Sequence, residues 1–134
     1  MKSALIFIVS IFFSVSAYAS NNFKCSVHDA YTLGKNGKID QSSNVAKKSL
    51  GKEFTVNRQT GQITGGGFVN TISGQMPQVF DHRPSENGYK AITIYKPNFT
   101  VDYLQINEYV NTSKKPFVYK GAWGATVTGL CTYY

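Results

Sequence analysis

From residue 23 onward, apolar and polar positions alternate in short runs separated by glycine-bearing turns. Phe23, Cys25, Val27, Tyr31 and Leu33 alternate with Lys24, Ser26, His28, Ala30 and Thr32, and Asp29 interrupts the pattern. Period two marks a half-buried first strand, and the interruption predicts a bend or bulge at Asp29. Gly34-Lys35-Asn36-Gly37 carries the Asn-Gly turn signal and predicts a hairpin into Lys38-Ile39. Residues 41–52 are polar and read as a loop or one short helix capped by Ser43.

Phe54-Thr55-Val56-Asn57 resumes the alternation, turns at Gln59-Thr60-Gly61 and returns through Gln62-Ile63-Thr64. Gly65-Gly66-Gly67 lacks the Lys-Ser/Thr and the following helix of a phosphate loop, so it predicts a bulge or strand end. Residues 68–80 carry Phe68, Val69, Ile72, Val79 and Phe80, split by Met76-Pro77. A polar loop, 81–88, then ends in a second Asn-Gly. Tyr89–Tyr95 and Thr100–Val110 read as strands. In the second of them Leu104 and Ile106 take one face, with Val101, Tyr103 and Tyr109 on the other. Phe117-Val118-Tyr119 and Ala125 to Tyr133 close the chain. Short, regularly spaced strands of this kind predict an all-β fold, a small antiparallel barrel or sandwich of about eight strands.

The N-terminus changes the setting. Lys2, the apolar run Leu5–Phe13 and the small-x-small Ala17-Tyr18-Ala19 have the layout of a cleavable export signal. The expected organisation is a signal peptide over 1–19 and one β domain over 20–134. The apolar run is shorter than the roughly 20 residues of a membrane span, so no transmembrane anchoring is expected. Export makes a Cys25–Cys131 disulfide plausible, and two cysteines permit one intramolecular pairing. If both face inward on their strands, the bond would tie the first strand to the last, as barrel closure would place them and as a sandwich with paired terminal strands would too.

Lys2 leaves with the leader, taking the formal charge from +7 to +6. That balance favours anionic neighbours: lipopolysaccharide or another envelope glycan, an acidic protein, or, less favoured, nucleic acid. Candidate chemistry is sparse. His28 and His82 are the two near-neutral acid–base groups, and a ribonuclease-like reaction would need them to share a proton beside Lys or Arg. His82, in a polar loop, is the better placed. There is no Gly-x-Ser-x-Gly, and His28, His82 and Met76 have no metal-ligand spacing, so no cofactor or metal is predicted. Tyr89, Tyr95, Tyr103, Tyr109, Tyr119, Tyr133 and Tyr134 lie beside Lys90, Lys96 and Lys120. They could form a stacking face, although amphipathic packing is the commoner use of such tyrosines.

Gly121-Ala122-Trp123 looks like the lipocalin Gly-x-Trp, but that motif belongs at a first strand and here precedes the last. Phe23-Lys24-Cys25-Ser26-Val27, the run Gly51–Gly65, Lys115-Pro116-Phe117 and Thr128-Gly129-Leu130-Cys131 are more specific. Together they resemble a set of small exported proteins of Gram-negative bacteria with no assigned activity. The resemblance implies a periplasmic or secreted location and no mechanism. The expected function is a non-enzymatic binding or interaction protein that engages an anionic envelope component or a protein partner. A small secreted hydrolase using His82 and an inhibitor of an exported enzyme are the alternatives.

Overall fold

The computed structural model describes residues 22–82 and 85–134; the expected leader, 1–19, lies outside them. Strands β1 (Phe23–Leu33), β2 (Ile39–Asp40), β3 (Glu53–Val56), β4 (Ile63–Thr64), β5 (Gln78–Phe80), β6 (Tyr89–Tyr95), β7 (Thr100–Ile106), β8 (Lys115–Lys120) and β9 (Thr126–Tyr133) form one antiparallel sheet. Eight of them follow the order β4-β3-β1-β9-β8-β7-β6-β5, and β2 pairs only with the end of β1. The sheet curls into a half-barrel. All-β architecture is as the alternation predicts, and the joining of the first and last strands is as the two cysteines predict.

The bulge falls in β1, where the pairing with β9 shifts between Val27 and Asp29, leaving His28 as the extra residue. An extra residue moves every later side chain to the opposite face. Phe23, Cys25 and Val27 are buried, and beyond the bulge Ala30 takes the inward position. Tyr31 and Leu33 therefore do not continue the apolar face, and Leu33 is 76% exposed. The bulge also presses β1 against its neighbour. A Cβ on Gly129 would lie 2.0 Å from the Ser26 carbonyl oxygen, so no side chain fits there.

The Asn36-Gly37 signal gives the expected hairpin: Gly37 has φ +77° and its N–H donates to the Gly34 carbonyl at 2.9 Å. Residues 44–49 form one short helix, α1 (Asn44–Ser49), whose cap Ser43 accepts the Ala46 N–H at 3.2 Å. The β3–β4 turn is fixed by Asn57, whose side chain accepts the N–H groups of Gln59 and Thr60, both at 3.0 Å.

Inside the curl the core is filled. Phe23, Phe54, Tyr89, Leu104, Ile106 and Val127 are all buried, and Phe54 meets Phe117 edge-on with ring centroids 5.3 Å apart. Cys25 faces Cys131 directly across β1 and β9 and the two are bonded, with Cα atoms 3.9 Å apart. The seam between the terminal strands β4 and β5 is closed by side chains. Asn70 accepts the Ile63 N–H and donates to the Gly61 carbonyl, both at 2.9 Å, while its own carbonyl accepts the Thr93 hydroxyl of β6 at 2.8 Å. This buried amide supplies the bonds that the short strand β4 lacks on its outer side.

Candidate functional site

The strand registers give the half-barrel two distinct ends. One is built from the starts of β1 and β6 and the ends of β3, β7 and β9. The other carries α1, the β6–β7 and β8–β9 loops, and the glycine-rich segment after β4.

At the first end Arg58, on the β3–β4 turn, reaches two carboxylates. Its Nε and Nη2 donate to Asp81 at 2.7 Å each, and Nη1 and Nη2 donate to Glu108 at 3.0 and 2.9 Å. The guanidinium lies over the rings of Phe23 and Tyr89, at 5.1 and 5.8 Å from their centroids. Tyr133 donates to Glu108 at 2.5 Å and Tyr89 donates to the Arg58 carbonyl at 3.0 Å. Hydrogen bonds to both carboxylates outweigh desolvation and push the Arg58 pKa up. Among the described residues, Arg58, Asp81 and Glu108 answer one another, and the cluster plugs the barrel end.

The other end is open. A cleft of about 380 Å³ is lined by Phe68, Val69, Ile72, Tyr119 and Trp123, with Lys48 and Lys52 at its rim. Trp123, the single tryptophan, is 64% exposed and rests on the Tyr95 ring at 5.4 Å. Asp102 lies in the floor. Its carboxylate accepts the Tyr95 hydroxyl and, at 2.5 Å, the Ala122 N–H. Tyr119 donates to the Val69 carbonyl at 3.3 Å, joining β8 to the loop that forms the facing wall. Lys52 extends over the Phe68 ring, 6.0 Å from its centroid. The arrangement is an apolar slot with hydrogen-bonded polar groups beneath it and exposed cations at its edge, which suits a ligand with an apolar body and an anionic head.

The histidines do not come together. His28 occupies the bulge on the outer face of β1, above a shallow depression lined by Lys24, Ser26, Glu53 and Lys114. His82 follows β5 at the plugged end, and both histidines are exposed. Met76 is exposed on the loop before β5, and among the described residues no group of three or more His, Cys, Asp or Glu converges. The tyrosines do not gather on one stacking face. Tyr89, Tyr95 and Tyr119 are buried inward-facing residues of β6 and β8, whereas Tyr109 and Tyr134 are exposed. Alternation decides this: each buried tyrosine shares a strand face with buried apolar neighbours.

Burial, reinforced by nearby carboxylates, raises Tyr89, Tyr95 and Tyr119 well above the ordinary value near 10 and takes Tyr133 up to about 12. The folded state thus favours the neutral hydroxyls. Their contribution to stability is complete below about pH 10 and is lost as pH climbs through the raised values, between 10 and 12 for Tyr133 and higher for the others. Tyrosinate absorbance from these four is expected to appear together with loss of near-ultraviolet ellipticity on alkaline titration. Complete tyrosine ionisation near pH 10 with the folded spectrum intact would contradict this account.

The cleft is not legible along the chain, because its walls come from α1, β7, β8 and two loops. The one local signal was a lone tryptophan between glycines, Gly121-Ala122-Trp123-Gly124, on a connection where an apolar residue gains no burial. Comparison with family models, curated proteins and solved structures returns no match.

Proposed function

We propose that the protein is an exported, non-enzymatic binding protein that takes an anionic amphiphile of the cell envelope into the cleft at Trp123. The observation that carries this reading is the pairing of an apolar slot with Lys48 and Lys52, neither of which forms an ion pair among the described residues. The Cys25–Cys131 disulfide fits a compartment outside the reducing cytoplasm. The leader-like N-terminus and the positive charge support the periplasm or exterior as that compartment. In this reading the apolar body of the ligand lies against Phe68, Tyr119 and Trp123, and the anionic head meets the two lysines. Asp102 lies in the floor of the slot and not at its rim, buried, with its oxygens taken by the Tyr95 hydroxyl and the Ala122 N–H.

Trp123 is a built-in reporter. Decanoate is expected to shift its emission saturably, with decanol weaker and decyltrimethylammonium weaker still. Lys48→Gln combined with Lys52→Gln should weaken decanoate about tenfold, the scale of one lost charge-assisted hydrogen bond. An unchanged emission with all three probes, or no preference for the anion, would refute the proposal.

A further inference from the structure

We infer that the cleft-bearing end of the half-barrel is a docking surface for an anionic lipid bilayer. The inference rests on the reading of the cleft as a site for an anionic amphiphile, since such a surface is where that ligand would be met. Its evidence, however, lies outside the cleft. The β6–β7 hairpin runs past the end of β8: Tyr103 is opposite Lys120, and three further residues of β7 continue before the turn. At the tip, Phe99 is 66% exposed with φ +56°, a left-handed conformation that a bulky side chain rarely adopts. A large apolar ring is thus held out in water on a constrained backbone, where it contributes no burial to the fold. Residues of the same hairpin, Lys96, Asn98 and Thr100, share a small cleft with Trp123, so the hairpin tip that carries Phe99 lies at the same end of the molecule as Trp123.

Charge selects the partner. Lys96 borders the small cleft with Trp123, Lys120 ends β8 just before the loop that carries Trp123, and both are exposed. Lys48 and Lys52 line the main cleft, and none of the four forms an ion pair among the described residues. Asp102, the acidic residue lining the cleft, is buried. The acidic residues Asp81 and Glu108 are held at the opposite end by Arg58. Exposed aromatic rings ringed by unpaired lysines are what an interface of apolar chains beneath anionic headgroups attracts.

The test uses protein purified after export, sedimented with phosphatidylglycerol–phosphatidylcholine vesicles and, separately, with pure phosphatidylcholine vesicles. The expected result is sedimentation with the anionic vesicles that falls with rising salt. Lys96→Gln with Lys120→Gln should weaken it about tenfold or more, and Phe99→Ser should weaken it further. All three positions are exposed, so the variants should keep the parent's melting curve and its decanoate response at Trp123. Failure to sediment with anionic vesicles, equal sedimentation with neutral ones, or no loss in the variants would each overturn the inference. A decanoate response without vesicle binding sinks docking alone, whereas vesicle binding with Trp123 silent to decanoate sinks the cleft reading.

Discussion

Arg58→Met is expected to destabilise the fold by about 3–5 kcal/mol, the range for breaking a buried ion pair by removing one partner. The side chain serves three surfaces at once. It neutralises Glu108, whose side chain is 1% exposed, it clamps Asp81, and its planar group fills the space over Phe23 and Tyr89. Methionine retains part of the packing, so the loss is chiefly that of an uncompensated carboxylate. The two carboxylates respond differently. Asp81 is one-third exposed and can turn to water, while Glu108 keeps only the Tyr133 hydroxyl. Adding Glu108→Leu to Arg58→Met should therefore recover much of the loss, because the burden is desolvation of one charge and removing that charge removes the burden. Urea unfolding of the two single variants and the double variant, with the disulfide intact, measures this as a cycle. A double variant with the summed losses of the singles would show that the pair is not the source of the effect.

That cluster marks the boundary of what the sequence discloses. The strands, the Asn36-Gly37 turn and the Ser43 cap are local events, each set by residues within a few positions and legible in the chain, although the strand read as Thr100–Val110 ends at Ile106. The disulfide is long-range yet legible, because two cysteines leave one pairing. Arg58 and Glu108 are 50 positions apart and differ in no way from other turn charges. Their meeting follows from the curl of the sheet, which brings the β3–β4 turn to the end of β7. The bulge at His28 shows the opposite failure. Asp29 announced an irregularity, but whether the extra residue would restore or invert the alternation depends on pairing with β9 around Gly129. The cleft follows the same logic as Arg58: its lysines come from the α1 region, its rings from β8 and two loops, and nothing in any one segment ties them together.

The disulfide yields the other large effect. Cys25→Ala with Cys131→Ala is expected to lower stability by about 4–5 kcal/mol, the chain-entropy value for a closed loop of this length. The bond spans 106 positions, so it restricts nearly the whole described chain in the unfolded state. In the folded state it adds little that the ladder lacks, since β1 and β9 already pair on both sides of it, from Phe23↔Tyr133 to Tyr31↔Thr126. The effect should therefore appear in the unfolded state. The variant should show a steeper urea dependence than the parent, because its unfolded chain exposes more surface. Its response to decanoate, measured well below the unfolding midpoint, should be unchanged. Reduction of the parent under denaturing conditions should reproduce the same midpoint. A domain of this size has about 5–15 kcal/mol of net stability, so the loss leaves a fold close to its threshold. The same chain made without residues 1–19 in a reducing cytoplasm should accordingly accumulate poorly, and co-expression of a cytoplasmic oxidising system should restore it. Equal yields of folded protein in reducing and oxidising cytoplasm would show that the bond is dispensable, and would remove the strongest physical reason for this chain to fold outside the cell's reducing interior.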